Sequence, residues 1–273
     1  MSDDLNSRLN FAVEVSSLAS ELILSHWRQA GLAVELKADE SPVTIADRGA
    51  EQLLRERILH AFPGDGVLGE EFGETAGTSG FRWVLDPVDG TKSFVAGVPL
   101  FGTLIAVEQA GRPVIGVCRF PALGEVVYAA RGRGAWWTIG GEAPRPARVS
   151  TNERLEDSLF CFTSVGGWES TGRMDAFLAL CRTARLTRGW GDCYGHILVA
   201  TGRAELAVDP LLNLWDAAAL LPIVEEAGGV FCDWTGAATA EGGNGFSTTP
   251  ALRDHVLALL SGARNASHDR SRD

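Results

Sequence analysis

Glu70, Asp86, Asp89 and Asp216 are the residues of this chain best able to act together chemically. Each closes an apolar run that reads as a strand or opens a run with helical spacing, the positions from which side chains reach a crevice. The central pair lies in Trp83-Val-Leu-Asp-Pro-Val-Asp-Gly-Thr-Lys-Ser-Phe94. There an apolar run predicts a buried strand that stops at Asp86, because the following proline cannot continue a ladder, and Asp89-Gly90-Thr91 predicts a tight turn into a new element. Acids at i and i+3 across a stiff Pro-Val can converge on one cation, and Gly-Thr amides at a helix start can cradle an anion. Hard oxygen ligands without a soft partner suit Mg²⁺ or Mn²⁺ better than Zn²⁺. Two such ions bridged by an aspartate would orient a phosphate, lower the pKa of a water and stabilise a leaving oxygen. A strand, a Pro-Asp turn and an Asp helix cap would explain the same dodecamer without any ligand.

Other chemistries find little support. There is no G-x-S-x-G elbow and no H-E-x-x-H, and none of the five histidines stands beside a Ser or Cys in a known local motif. His26, next to Trp27 at the end of a helical run, reads as a packing or surface residue. Five cysteines with no C-x-x-C spacing fit buried thiols in a reducing compartment. A net charge of −11 excludes tracking along a nucleic-acid backbone, which needs excess Lys and Arg. The acidic, polar start lacks the form of a signal peptide, and no apolar run reaches membrane-spanning length. The expectation is a cytoplasmic protein with a small-molecule ligand, no nucleic acid and no membrane.

The elements that must position these acids follow from periodicity. Leu9, Ala12, Val15, Leu18, Ala19, Leu22, Ile23 and Trp27 predict a long first helix. Gly31 to Thr44 breaks the pattern with a polar stretch suited to a mobile flap, and Thr44 and Asp47 have capping-box spacing ahead of a second helix that ends at Phe62-Pro63-Gly64. Val67 to Glu71 is a short strand running into two acids. Strands at 102–107, 114–120, 126–130 and 135–138, separated by Gly and Pro turns, predict an antiparallel meander. Beyond a Gly, Pro and Arg-rich stretch at 140–152 the order alternates: strand 159–162, helices 174–181 and 194–200, strand 204–208, and a helix opened by Asn213-Leu-Trp-Asp216 in which Pro222 kinks the run or sits near its first turns. A strand at 230–234 and a last helix at 251–260 complete it. The fold class is thus α/β, with an α+β N-terminal half (1–145) holding the metal and phosphate site, an α/β half (146–262) supplying Asp216, and a disordered tail (263–273).

Three blocks together carry a resemblance: Gly69-Glu70-Glu71, Asp86-Pro-Val-Asp-Gly-Thr91, and Trp215-Asp216 through Glu225-Glu226-Ala-Gly-Gly229. In this order they resemble the signature blocks of the inositol-monophosphatase-like phosphatases, over about Phe11 to Leu260. The resemblance implies a layered αβαβα sandwich, usually a homodimer. It implies that Glu70, Asp86 and the Val88 carbonyl hold one Mg²⁺, that Asp86, Asp89 and Asp216 hold a second, and that Glu70 helps orient the attacking water. It further implies that Thr91 bonded to Asp47 activates that water, that the Gly90 and Thr91 amides bind phosphate, and that Lys37 belongs to a mobile loop supporting a third, weaker metal.

Lys92-Ser93-Phe94, Gly97-Val-Pro99, Gly102 to Ala106 and Trp190-Gly-Asp-Cys-Tyr-Gly195 resemble the histidinol-phosphate phosphatase branch more than the inositol branch. Asp209, seven residues before Asp216, matches the family position that contacts the organic part of the substrate, and its carboxylate would favour the amine of histidinol. Asp192 could add a second acidic contact. An inositol 1-phosphate or 3′-phosphoadenosine-type phosphatase, and a metal-binding regulatory protein without turnover, remain the alternatives.

Overall fold

The computed structural model describes residues 2–29, 33–36 and 42–268, with side chains described for 4–29, 33–36 and 42–261. The first helix, α1 (Ser2–His26), buries Ala12, Val15, Ala19 and Ile23 on the expected stripe. β1 (Val34–Leu36) and β2 (Pro42–Thr44) pair antiparallel, so the stretch read as an irregular flap has two strand arms. Lys37 lies outside the described residues. Thr44 then opens α2 (Ile45–Ala61) with the predicted reciprocal cap: its hydroxyl accepts from the Ala46 amide at 3.1 Å, and the Asp47 carboxylate accepts from the Thr44 amide at 2.8 Å.

The large sheet follows as β3 (Gly66–Gly69), β4 (Gly73–Thr75), β5 (Phe81–Asp89), then the short helix α3 (Thr91–Val95), then β6 (Gly102–Gln109), β7 (Arg112–Phe120), β8 (Glu125–Ala130), β9 (Ala135–Ile139) and β10 (Arg145–Pro146). Its order is β10-β9-β8-β7-β6-β5-β3-β4. The meander from β6 onward matches the expectation. The parallel β3–β5 pair and the polar edge strand β4 do not follow from it, since Gly-Glu-Thr carries no apolar alternation. The boundary expected after residue 145 falls inside β10, which pairs with β9.

The second half alternates as expected: β11 (Leu159–Cys161), α4 (Val165–Ser170), α5 (Met174–Thr183), β12 (Leu186–Arg188), α6 (Asp192–Ala200), β13 (Leu206–Asp209), α7 (Leu214–Ala217), α8 (Leu220–Glu226), β14 (Val230–Cys232), β15 (Gly245–Thr248) and α9 (Arg253–His268). The small sheet has the order β12-β11-β13-β15-β14, parallel through β13 and antiparallel beyond it. Pro222 is the third residue of α8, early enough that its missing N–H costs no helical bond. The last helix is drawn to His268, past the Leu260 end expected of it, and residues 269–273 lie outside the described residues.

Side-chain alternation stacks these elements into five layers. On one face of the large sheet, Trp83, Leu85, Ile105 and Val117 meet α1 and α2 through residues such as Ala19, Ala50 and Leu54. On the other, Val84, Leu104, Ala106 and Cys118 meet Ile197 of α6 and Leu220, Ile223 and Val224 of α8. Those helices also touch the small sheet through Phe231. The far face of that sheet, Phe160, Leu206 and Val208, packs on Phe177 and Leu180 of α5 and Val256 and Leu260 of α9. This is the αβαβα sandwich. Gly116 keeps the middle layers close, because a Cβ there would fall 2.0 Å from the Ala219 carbonyl oxygen at the start of α8. Among the described residues no helix is long and apolar enough to cross a membrane.

Candidate active site

Residues three apart on a regular strand point to opposite faces. Asp86 and Asp89 nevertheless share one. The strand does not end at Asp86 as expected: β5 continues to Asp89, with Asp86 opposite Leu104 and Asp89 opposite Gly102, so two residues of β5 face one of β6. This bulge, at the proline that cannot donate to the ladder, restores the phase and turns both acids toward the middle helix layer. Thr103 fastens the bulge by donating its hydroxyl to the Pro87 carbonyl at 2.9 Å. The Val88 amide donates to Asp86 Oδ1 at 3.0 Å, and Asp89 Oδ2 accepts from the Cys193 amide at the start of α6.

Glu70 follows the end of β3, where its amide donates to the Leu85 carbonyl at 3.2 Å. The turn beyond it is pinned by Glu51 of α2, which sequence reading missed. This fully buried carboxylate accepts from the Glu71 amide at 2.7 Å, the Phe72 amide at 3.2 Å and Arg55 Nε at 2.7 Å. Gly69 makes room for it, since a Cβ at Gly69 would fall 2.0 Å from Glu51 Oε1. Gly69→Ala should therefore cost about 1–3 kcal/mol of stability and, by displacing Glu70, about 10²-fold in kcat. Thermal melts and steady-state kinetics check this, and an unchanged kcat would remove Glu51 from the positioning of Glu70.

The fourth acid comes from the other half of the chain. Asp216 caps its own helix α7, with Oδ2 accepting from the Asn213 amide at 2.7 Å. Asp86, Asp89 and Asp216 each bring a carboxylate oxygen within 4.8 Å of the other two. A cleft of about 540 Å³ is lined by these three together with Glu70, Val88, Gly90, Thr91, Lys92 and Asp192. Burial, followed by the charges of Glu70, Asp89, Asp216 and Asp47, pushes the Asp86 carboxyl well above its ordinary value. Burial with Asp192 and Asp216 does the same to Asp89, and burial raises Asp216 to about 7. So many repelling carboxylates facing one space, all hard oxygen donors, fit one or more divalent cations. Glu70, Asp86 and the Val88 carbonyl would hold one ion, and Asp86, Asp89 and Asp216 another.

Gly90, at φ +83°, turns the chain from β5 into α3, whose first amides border the cleft. Thr91 Oγ1 lies 3.0 Å from the Val88 carbonyl and 3.3 Å from Asp47 Oδ1, so Asp47 serves both the α2 cap and Thr91. Burial is the main cause of its raised pKa, which its bonds to Thr44 partly offset.

Beside the cleft is a smaller pocket of about 110 Å³ lined by Asp89, Asp192, Asp209 and Asp216 among apolar and hydroxyl groups. Asp192 is held at φ +49°, its amide donating to Thr163 Oγ1 at 2.7 Å. Burial and the charge of Asp209 push its carboxyl up to about 6, against the lowering influence of Lys92. Asp209 ends β13 and is 4% exposed; Oδ2 lies 3.1 Å from His196 Nε2, while Oδ1 is buried with no described partner. The two acids expected to bind substrate therefore sit together, next to Asp89 and Asp216.

The model of the inositol monophosphatase family matches residues 4–264. The chain belongs to the inositol monophosphatase family. As a member it is a phosphoric monoester hydrolase of a metal-dependent family. It is 44% identical over 259 residues to the histidinol-phosphatase of Chlorobaculum parvum, covering 94% of this chain and 98% of that one. With the histidinol-phosphatase of Mycobacterium tuberculosis it shares 39% over 253 residues, or 93% and 97% of the two chains. The extragenic suppressor protein suhB of Bartonella henselae superposes with a TM-score of 0.85 at 29% identity, over 93% of this chain and 98% of the other.

Proposed function

We propose that this family member hydrolyses L-histidinol phosphate to L-histidinol and inorganic phosphate with Mg²⁺ as the divalent cation. The observation that carries the substrate is the side pocket: the described residues lining it include Asp89, Asp192, Asp209 and Asp216 but no Lys, Arg or His. Cations offset the charge of the acids they are bound to, but Asp192 and Asp209 stand outside both proposed metal sets. They favour an organic group that is itself cationic. The two histidinol-phosphatases similar over nearly the whole chain agree with this reading.

When bound, Mg²⁺ offsets the negative charge of the phosphate and makes water more acidic. The rest falls to the chain. The Gly90 and Thr91 amides and the Lys92 ammonium receive phosphate oxygens at the start of α3. Glu70 and Thr91 Oγ1 orient the attacking water; since the Val88 carbonyl would be one of the groups holding a cation, Asp47 Oδ1 is the acceptor left for the Thr91 proton. Burial of Asp47 raises its affinity for that proton. The water oxygen bonds to phosphorus as the ester P–O bond breaks; the leaving alkoxide takes a proton from solvent water and departs as the alcohol from the Asp192–Asp209 side.

The test is cation-dependent phosphate release from histidinol phosphate, inositol 1-phosphate, fructose 1,6-bisphosphate and adenosine 3′,5′-bisphosphate. One charge-assisted contact predicts a kcat/KM advantage of about tenfold or more for histidinol phosphate. A preference for any of the other three would overturn the substrate while leaving the family intact.

A further inference from the structure

Three fully or nearly buried polar side chains form a line behind the side pocket. Ser247 of β15 places Oγ 2.7 Å from His196 Nδ1, and His196 Nε2 lies 3.1 Å from Asp209 Oδ2. Ser247 and His196 are 0% exposed and Asp209 4%. Asp209 lines the pocket, and its Oδ1 is buried with no partner among the described residues. A buried carboxylate oxygen without a donor is costly unless a ligand completes it.

An ionised carboxylate only accepts, so in the bond to Asp209 Oδ2 the donor is His196 Nε2. Ser247 Oγ fixes the other side of the ring at Nδ1. The contrast with Asp65 is informative: there Arg8 contacts both carboxylate oxygens at 2.8 Å, and the aspartate is neutralised as well as held. The His196 imidazole holds Asp209 through one oxygen only and leaves the other for a further partner. The charge of Asp209 reaches Asp192 across the pocket, where it is the main charge raising the carboxyl.

We infer that His196 and Ser247 are positioning residues for substrate recognition: they hold Asp209 in one orientation through Oδ2, so that its Oδ1 is left to receive the ammonium of the substrate's organic part. The inference rests on the proposed aminated substrate. It adds that selectivity for the amine is set from behind the pocket, by two residues that never touch the substrate. His196 sits on α6, four residues after Asp192 and three after Cys193, whose amide is bound to Asp89, so one helix orients both the organic and the metal side.

The experiment compares wild type with His196→Leu, His196→Gln and Ser247→Ala on histidinol phosphate and on glycerol 2-phosphate, a phosphomonoester without an amine. The expected result is a tenfold or greater rise in KM for histidinol phosphate in His196→Leu. Its kcat, and both constants for glycerol 2-phosphate, should stay within about twofold of wild type. His196→Gln keeps an N–H toward Asp209 and should recover most of the loss, while Ser247→Ala, which frees the ring without removing it, should lie between. Equal losses on both esters, or an unchanged amine preference in Ser247→Ala and His196→Leu, would overturn the positioning role. Should His196→Leu fail to fold, His196→Gln and Ser247→Ala carry the same comparison. A wild-type enzyme indifferent to the amine would instead overturn the substrate reading, a result visible before any variant is made.

Discussion

Asp89→Asn should lower kcat by about 10³-fold or more, because one carboxylate of the triad within 4.8 Å is lost where charge on the transferred phosphate must be met. The same change should leave the metal-free protein no less stable than wild type, since Asp89 is half-buried beside Asp192 and Asp216, which repel it. Thermal melts with and without Mg²⁺ separate the two effects: the cation should raise the wild-type Tm and leave the variant's nearly unmoved. The direction with pH follows from Asp216, pushed up to about 7 when folded. Its unfolded value is about 3.9. Between those values the folded chain keeps a proton that the unfolded chain has lost. Metal-free stability should therefore fall as pH rises from about 4 to about 7, with Mg²⁺ restoring it at the upper end. A wild-type kcat in Asp89→Asn would refute cation binding by this triad.

Thr91→Val should cost about 10²–10⁴-fold in kcat with KM little changed, the range for losing a positioned proton relay. The Thr91 hydroxyl is the group that joins Asp47 to the cleft, at 3.3 Å, and valine keeps its shape without it. Thr91→Ser keeps the hydroxyl and should retain most of the activity. Mg²⁺-induced stabilisation should persist in both variants. Equal losses in the serine and valine variants would mean that the methyl group, and so packing, is what matters at this position.

Much of the site was legible because chemistry-bearing acids stand at element ends, where apolar runs stop. Glu70, Asp86, Asp89 and Asp216 all line the cleft, and the Thr44–Asp47 cap and the Thr91–Asp47 bond coexist. The mechanism that makes Asp86 and Asp89 converge was not legible. A bulge is a relation between two strands, and neither β5 nor β6 alone records it. Glu51, His196 and Ser247 were missed for a related reason. Each is fully buried, and apart from the Glu51–Arg55 pair its partners lie 13 to 51 residues away in sequence, too far for any local spacing to reveal. β4 and β15 escaped because Gly-rich or polar trimers and tetramers acquire strand geometry only from a neighbour. The long helices and the meander depended on periodicity, and they matched.

The bulged end of β5 and the first turn of α7 are brought together only by the docking of two sheets. During synthesis Asp47, Glu70, Asp86, Asp89 and Thr91 all emerge first, yet the third carboxylate of the triad and the Cys193 amide that holds Asp89 follow more than a hundred residues later. A nascent or truncated chain thus carries most of the cleft's acids but lacks Asp216 and the Cys193 amide. On the proposed chemistry, hydrolytic competence would arrive only when the second sheet has docked.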